Sequence, residues 1–236
     1  MDGSGEKSLT GGTTPGVVRI GDTVRRPPHD RWEYVHSVLR HLESVGFDGA
    51  PRLLGVDERG RDILSYVDGM VTNDAAALSD AELAGAARLI RRFHDATAGT
   101  ALAAGEEVVL HGDLGPHNTV FAGERAVALI DWDDGVKPGP RVRDVGHAVW
   151  CFADIGEGGG PLGRQAHRAK VLCDAYGWAD PGEVLDELTA RFHRARAEHL
   201  AHGRTKAVAI FAGYIAWMDA HLPTLRTLMA AAPPGC

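Results

Sequence analysis

The sequence predicts an α+β fold, with a small β-rich N-terminal lobe over residues 1–67 and a larger helical C-terminal lobe over residues 68–236. Three observations support this prediction. Short β-type runs crowd into the first third of the chain, and helical periodicity dominates the rest. A length of 236 residues with 44% hydrophobic content is also sufficient for one large domain or two small lobes.

Two pairs of β-type runs make up the first lobe. Residues 17–20 and 23–25 flank a Gly-Asp pair, which is typical of a hairpin turn between short strands. Residues 52–56 and 62–67 form a second pair joined by a polar turn. Between the pairs, the segment 30–45 is expected to be a helix capped by its first residue, an aspartate. The first lobe is therefore expected to be a small sheet carrying one helix.

The second lobe shows helical signals along most of its length. Ser79 and Glu82 form a capping-box pattern ahead of apolar residues at helical spacing, so a helix is expected to start there. We expect His94, near the end of this helix, to be a packed histidine. Further helices are expected at residues 164–176, 181–200 and 205–222. Short β-type runs interrupt the helical pattern between residues 108 and 130.

Composition and charge exclude several classes of protein. A formal net charge of −7 argues against a nucleic-acid-binding protein, which normally shows a basic face. The longest apolar stretch, residues 207–218, is too short to span a bilayer. The N-terminus has neither a basic start nor an apolar core of the kind found in secretory signals, so a cytoplasmic location is expected. Cys151, Cys173 and Cys236 are far apart and predict neither a zinc site nor a disulfide framework.

The interruption in the helical lobe carries the chemistry-bearing residues. It contains HGDLGPHN at residues 111–118, and two β-type runs that flank a short turn follow it. If these runs pair as a hairpin, the loop before the first and the end of the second lie at the same edge. Asp113, Asn118 and Asp131 are then expected to converge.

Residue types in this set suit phosphoryl transfer. The amide oxygen of Asn118 and the carboxylate of Asp131 are hard oxygen ligands, of the kind that magnesium takes when it also binds phosphates. The second carboxylate, Asp113, is not needed by the metal and can accept a proton from an attacking hydroxyl. These are the parts of a phosphoryl-transfer site.

HGDLGPHN followed by IDWDD at residues 130–134 resembles the catalytic and metal-binding segments of the aminoglycoside phosphotransferase and choline kinase family, which are distant relatives of protein kinases. The resemblance implies a bilobal protein-kinase-like fold. It also implies magnesium-dependent transfer of the γ-phosphoryl group of ATP or GTP to a hydroxyl of a small molecule. Asp113 would be the catalytic base, with Asn118 and Asp131 as magnesium ligands. His111 and Asp144 would organise the catalytic loop.

Nucleotide binding is expected from the first lobe. Residues 63–69 resemble the family's linker, which holds adenine through backbone hydrogen bonds, so Leu64, Ser65 and Tyr66 are expected to bind the nucleotide. Arg25 takes the place of the lysine with which the family neutralises phosphates, and Arg26 would then face the opposite side of the strand.

Parts of the family pattern are weak or missing. The helix glutamate that pairs with this cation is replaced by Val35, so the ion pair is in question. Gly11-Gly12 is the remnant of a glycine-rich phosphate loop. Asp133 and Asp134 fit either a role toward metal or substrate or a solvated turn.

Three functions compete at this stage: a small-molecule phosphotransferase, a pseudokinase or nucleotide-binding regulator, and a metal-dependent phosphoesterase. The intact base and metal ligands favour the first over the second, and the third needs several bridging His and Asp residues that no later motif supplies. The expected acceptor is a polar hydroxyl-bearing molecule, such as an aminoglycoside-like or other antibiotic carrying amines. Acidic residues of the second lobe are candidates to bind its charge: Asp154, Glu157, Asp174, Glu198 and Asp219.

Overall fold

The structure is a computed structural model that describes residues 6–9, 15–133 and 135–231. Gly11, Gly12, Asp134 and Cys236 lie outside these residues, and so do the predictions made for them. Within the described residues, no helix combines the length and the apolar composition that a bilayer-spanning segment needs.

An antiparallel sheet forms the first part of the described chain, as predicted. Its strands run in the order β1-β2-β3-β5-β4, so β4 lies at one edge and β5 is paired on both sides. The Gly-Asp turn joins β2 to β3, with Ile20 opposite Thr23. The strand bounds are β1 Lys7–Ser8, β2 Val18–Ile20, β3 Thr23–Arg26, β4 Leu53–Val56 and β5 Asp62–Ser65.

One helix, α1 (Trp32–Ser44), accompanies this sheet. Val35, Val38 and Leu42 bury one face of it in the core, which explains why the apolar spacing predicts the helix correctly. The predicted cap is wrong, because the residue at the N-cap position is Arg31 and no side chain caps the helix there.

The second part of the chain is mostly helical. Ser79 caps α2 with both hydrogen bonds of the capping box, as predicted. Two features were not predicted: a helix directly after residue 140, and continuation of the last helix through Pro223. The helix bounds are α2 Asp80–Thr97, α3 Arg141–Ala153, α4 Leu162–Tyr176, α5 Pro181–Ala201 and α6 Thr205–Ala231.

Short ladders within the helical part hold the predicted catalytic segment. The predicted hairpin is present as β7 (Thr119–Ala122) paired with β8 (Arg125–Leu129). An unpredicted ladder pairs β6 (Val108–Leu110) with β9 (Lys137–Gly139). The catalytic segment therefore leaves one ladder and enters the other, which fixes both of its ends.

A hydrophobic cluster of the described residues runs under these elements. It includes Phe93 of α2, Trp132 after β8 and Phe152 of α3, all at most 2% exposed. The rings of Phe93 and Trp132 meet edge to face with centroids 5.0 Å apart. Trp132 thus anchors the chain immediately after Asp131 in the core, which restricts where that carboxylate can lie.

Candidate active site

The hairpin brings Asn118 beside the residue that precedes Asp131. Thr119 of β7 lies opposite Leu129 of β8, and the amide of Ile130 donates a hydrogen bond to the main-chain oxygen of Asn118 at 2.9 Å. Asp131 follows with a positive φ of 65°, a left-handed conformation that Asp tolerates better than most residues. Two of the predicted site residues therefore lie at one end of one hairpin.

Asp113 is tied to Asn118 by two hydrogen bonds. The Asn118 side-chain amide donates from Nδ2 to the main-chain oxygen of Asp113 and to its Oδ2, both at 2.9 Å. Asn118 is 5% exposed, whereas the Asp113 side chain is 47% exposed. The amide thus orients a carboxylate that remains open to an incoming molecule.

Asp144 holds the backbone of the same loop from below. Its two carboxylate oxygens accept hydrogen bonds from the amides of His111 (2.7 Å) and Gly112 (3.0 Å). The ring of His94 contacts Asp144 at 3.1 Å and the hydroxyl of Tyr176 at 2.8 Å. Burial alone would raise the pKa of Asp144, but the hydrogen bonds from His94 and the His111 amide outweigh burial and hold the pKa below its usual range.

His111 and Gly112 fix the rest of the loop. The His111 ring is fully buried and bonds the main-chain oxygen of Ile130 at 3.0 Å, which links the loop to the strand before Asp131. Burial lowers the pKa of His111, which favours a neutral ring. Gly112 has φ +85°, and a Cβ there would lie 2.4 Å from the main-chain oxygen of Gly135. A larger residue therefore does not fit at this point of the HGD segment.

The arrangement fits a magnesium ion held by two protein oxygens. Because Nδ2 of Asn118 is turned toward Asp113, its Oδ1 has no hydrogen-bond partner among the described residues. Asp131 binds Arg26 through Oδ1, and its Oδ2 has no partner in the same part of the chain. The described residues hold no group of three His, Cys, Asp or Glu side chains suited to a metal. A two-ligand site suits magnesium, which keeps waters and takes its other ligands from phosphates.

The cation of β3 that reaches this site is Arg26, and the prediction for Arg25 needs correction. Arg26 is 5% exposed and lies 2.7 Å from Oδ1 of Asp131. The Arg25 side chain points to the other face of the sheet, where it bonds Thr23 at 2.6 Å and lies 3.7 Å from Asp57. Successive residues of a strand face opposite sides, as expected, but the assignment was displaced by one residue.

On the face of the sheet where Arg26 lies, α1 contributes a histidine that contacts Asp62. Arg26 of β3 pairs in register with Asp62 of β5, so both face the side of the sheet where α1 lies. Asp62 bonds His36 of α1 at 2.7 Å, and both side chains are buried. Glu33 of the same helix is exposed. Arg26 therefore takes carboxylate partners from the segment after β8 rather than a glutamate from α1.

Asp133 contacts both the turn that follows it and the Arg26 guanidinium. Its Oδ1 accepts a hydrogen bond from the amide of Gly135 at 3.0 Å, and its Oδ2 lies 3.3 Å from Arg26. Asp133 therefore stabilises the turn, which is one of the two roles expected for it. Its second carboxylate oxygen is also a partner for the buried guanidinium of Arg26.

The predicted adenine-binding residues are engaged in the sheet. Leu64 lies in β5 between two partner strands. The amide of Ser65 donates to the main-chain oxygen of Arg52 at 2.9 Å, and that of Tyr66 to the main-chain oxygen of Asp22 at 2.8 Å. The amides of Ser65 and Tyr66 are therefore already bonded. Adenine binding by Leu64, Ser65 and Tyr66 stays a prediction, and it would have to use backbone groups other than these two amides.

Two histidines that sequence reasoning missed flank the carboxylate of Asp113. His117 lies 3.5 Å from Oδ2 and His147 of α3 lies 3.3 Å from Oδ1. These rings hold the pKa of Asp113 far below its usual range despite partial burial, so the carboxylate is ionised at neutral pH. Contact with Asp113 raises the pKa of His117. His117 directly precedes Asn118 and was therefore within reach of the sequence motif, whereas His147 follows Asp144 by one turn of α3, a helix that was not predicted.

A cavity of about 250 Å³ opens beside His117. The rings of Trp150 and Tyr214 meet edge to face in its wall, with centroids 5.4 Å apart, and Asp154 adds a carboxylate. The remaining lining residues are small or polar: Thr72, Asn73, Ala75, Pro116 and Cys151. The cavity combines aromatic surface with a few polar groups, as small-molecule sites commonly do.

The chain matches a known family and a curated relative. Residues 19–181 match the family described as Phosphotransferase enzyme family. The chain is also 32% identical over 262 aligned positions to a trifolitoxin immunity protein of Rhizobium leguminosarum bv. trifolii. That alignment covers 95% of this chain and 99% of the relative.

Solved structures share the fold at low sequence identity. A choline/ethanolamine kinase family protein from Mesorhizobium loti is 18% identical to this chain, with a TM-score of 0.61. The match covers 94% of this chain and 92% of that protein's chain. Aminoglycoside 2'-phosphotransferase-IIIa, solved with GDP, is 15% identical over 95% and 92% of the two chains, with a TM-score of 0.59. Spectinomycin phosphotransferase, solved with ADP and spectinomycin, is 14% identical over 96% and 92%, with a TM-score of 0.56. The likeness confirms the predicted kinase-like α+β fold.

Proposed function

The chain belongs to the phosphotransferase enzyme family, and from this premise we propose that it transfers the γ-phosphoryl group of ATP or GTP to a hydroxyl group of a small molecule. The observation that carries the proposal is the arrangement of Asp113, Asn118 and Asp131 at the end of one hairpin. An open carboxylate lies beside an amide oxygen and a second carboxylate that are both available to a metal.

In this proposal Asp113 orients the acceptor hydroxyl and takes its proton. Its low pKa makes it a weak base, which suits a reaction whose transition state is loose and whose nucleophile loses its proton late. Orientation of the hydroxyl toward the phosphoryl group is then as important as basicity. The half-exposed carboxylate, fixed by Asn118 on one side, is suited to that task.

Asn118 and Asp131 would hold a magnesium ion through Oδ1 and Oδ2, respectively. An ion held there would supply positive charge to neutralise the nucleotide phosphates. Arg26 places a second positive charge beside Asp131, where it is suited to bind the nucleotide phosphates. We propose Arg26 for the role that the sequence suggested for Arg25.

The acceptor, we propose, binds in the cavity beside His117 and carries an amine as well as a hydroxyl. Among the acidic residues considered from sequence, Asp154 lines this cavity. Asp174 instead bonds Lys170 at 2.7 Å, and the other three are exposed: Glu157, Glu198 and Asp219. A carboxylate next to the Trp150 and Tyr214 rings is suited to an ammonium group.

An antibiotic or toxin is the class of acceptor that we favour. The solved relatives are named for aminoglycosides, for spectinomycin and for the choline/ethanolamine kinase family, and the curated relative is named as an immunity protein. Phosphorylation of a toxic molecule would give its host resistance. Residence in the cytoplasm, where ATP and GTP are available, is part of the same proposal.

A nucleotide-binding regulator without transfer activity is the second candidate, and one observation favours it. Arg26 binds Asp131 directly and so competes with a metal for that carboxylate. The deciding experiment incubates the protein with magnesium and ATP or GTP over a panel of aminated and neutral alcohols, and reads each acceptor by mass spectrometry. We expect one acceptor to gain a phosphoryl group with the wild type but not with Asp113→Asn. Tight nucleotide binding without any phosphorylated product would instead support the regulator.

A further inference from the structure

One face of α3 connects the catalytic loop to the acceptor cavity. Asp144 bonds the loop backbone at the start of the helix, while Trp150 and Asp154 line the cavity at its end. His147 follows Asp144 by three residues and precedes Trp150 by three, so the side chains share one helical face. His147 therefore lies between the brace of the loop and the wall of the cavity.

The surroundings of His147 are unusual for a buried polar side chain. It is 4% exposed, and its ring packs edge to face against Trp150 with centroids 5.6 Å apart. Neither Nδ1 nor Nε2 has a hydrogen-bond partner among the described residues. Nε2 lies 3.3 Å from Oδ1 of Asp113, close enough for a hydrogen bond but without the alignment of one in this structure.

Leaving a polar group unpaired in the interior costs about 1–3 kcal/mol, so an apolar residue would stabilise this position better. Burial lowers the pKa of His147, with the nearby charge of Arg191 acting in the same direction, and the ring is neutral near pH 7. A neutral imidazole carries its proton on one nitrogen only. With the proton on Nε2, the ring has a donor 3.3 Å from the carboxylate, which a small rotation of the half-exposed Asp113 side chain would align.

We propose that His147 is a positioning residue for the catalytic base, which donates a hydrogen bond from Nε2 to Oδ1 of Asp113 and fixes the carboxylate toward the acceptor. The inference rests on the proposed function only in naming Asp113 as the base. Asn118 already donates to Oδ2 of the same carboxylate. A donor on each oxygen fixes the plane of the carboxylate, and hydrogen bonds of this kind commonly tighten when substrate is bound.

The first test measures which nitrogen of the His147 ring carries the proton, and it does not depend on enzymatic activity. Nitrogen-15 NMR of histidine-labelled protein distinguishes the two tautomers, and His147→Gln identifies the signal by its loss. We expect the Nε2–H tautomer in the wild type and a shift of its nitrogen resonances in Asp113→Ala. A ring protonated on Nδ1, or resonances that do not respond to Asp113→Ala, would overturn the proposal.

The second test separates positioning from packing. His147→Leu keeps the volume but removes the donor, and it should lower kcat by up to about 100-fold, as expected for a misplaced reacting group, with the nucleotide KM unchanged. His147→Gln restores a donor near Nε2 and should recover most of the loss. His167→Leu, which removes an exposed histidine bonded to Asp80, is the matched control and should retain the wild-type kcat.

A wild-type kcat in His147→Leu would overturn the positioning role. So would a kcat in His147→Gln as low as in His147→Leu at equal thermal stability, because packing alone would then explain the loss. If the wild-type protein phosphorylates no acceptor, the proposed function fails, and the tautomer measurement still decides whether His147 binds Asp113.

Discussion

Nη2 of Arg26 lies 2.7 Å from Oδ1 of Asp131, so the cation on β3 directly contacts the carboxylate that follows β8. The same guanidinium contacts Asp133 at 3.3 Å and the main-chain oxygen of Trp132. Its side chain is only 6% exposed, and a buried cation of this kind is costly to unpair. The small sheet is therefore linked by a charged contact to the end of the hairpin where we propose that the metal binds. A nucleotide and its metal bound there would have to share Arg26 and Asp131.

Arg26→Ala should lower kcat/KM for the nucleotide by about 10²-fold, the scale of losing one preorganised charged donor. Arg25→Ala is the matched control, because its side chain faces Asp57 on the opposite side of the sheet, away from Asp131. Steady-state kinetics with varied nucleotide checks the contrast. Greater sensitivity at Arg25 would show that the phosphates approach the other face.

Asp131→Ala and Asn118→Ala should both weaken nucleotide binding that depends on magnesium, because each removes an oxygen ligand. We expect the larger loss at Asp131, since its full charge also neutralises the ion. Removal of Asp131 also leaves Arg26 less well paired, so nucleotide affinity measured without magnesium should fall little or even rise. Calorimetry with magnesium and with a chelator separates the two effects. An unchanged response to magnesium in Asp131→Ala would contradict the assignment.

Asp113→Asn should retain nucleotide affinity while kcat falls by roughly 10²–10⁴-fold, as expected when a positioned base is lost. The amide keeps the size of the carboxylate and one oxygen for the contact with Asn118, so stability should change little. Single-turnover phosphoryl transfer measures the chemical step, and calorimetry measures nucleotide binding. Transfer at the wild-type rate would exclude Asp113 as the base.

Residues close in sequence carried most of the site prediction. Asp113 and Asn118 are five positions apart, and their contact follows from a short loop closed by its own hydrogen bonds. Asp131 was predictable because a hairpin with a short turn returns the chain to where it began. Helices with clear apolar spacing, such as α1 and α2, were predicted within a few residues of their bounds.

Features that depend on contacts with residues far away in the sequence were not predictable. The choice between Arg25 and Arg26 is set by Asp62 across the sheet and by the segment after β8, and no apolar pattern in β3 marks its inner face. β9 contains Pro138 and Gly139, which are depleted in strands, so its pairing with β6 gave no local signal. His147 was missed because α3 itself was not predicted as a helix, and its spacing from Asp144 therefore had no meaning.

Asp144→Ala should destabilise the protein by about 2–4 kcal/mol, because the amides of His111 and Gly112 lose a buried acceptor. Asp144→Asn should be milder. The folded-state pKa of Asp144 is below its unfolded value, so its stabilisation is present at neutral pH and is lost as pH falls below about 4. Urea unfolding across that range should show a smaller pH dependence in Asp144→Asn than in the wild type. Equal pH dependence in both proteins would assign the acid sensitivity to other carboxylates.

Asp154→Asn should lower kcat/KM for an aminated acceptor while leaving that for a neutral acceptor unchanged. Asp154 follows the last residue of α3 in a left-handed conformation with φ 55°, and it lines the cavity together with Trp150. The amide has nearly the same shape, so the variant removes charge without reshaping the cavity. An ion pair that is partly shielded from water in a cavity contributes more than an exposed pair, and a loss of about 10-fold, or 1.4 kcal/mol, is expected.

The control for this charge is Glu157→Gln, three residues further on, where the side chain is exposed and lies outside the cavity lining. Exposed ion pairs contribute only about 0–1 kcal/mol, so Glu157→Gln should have the wild-type kcat/KM for both the aminated and the neutral acceptor. The measurement compares matched acceptors with and without the amine at fixed nucleotide. If Asp154→Asn lowers kcat/KM equally for both, Asp154 shapes the cavity rather than binding a cation. If neither falls, the acceptor does not bring an ammonium group to this wall, and the transfer chemistry at Asp113 is unaffected by that result.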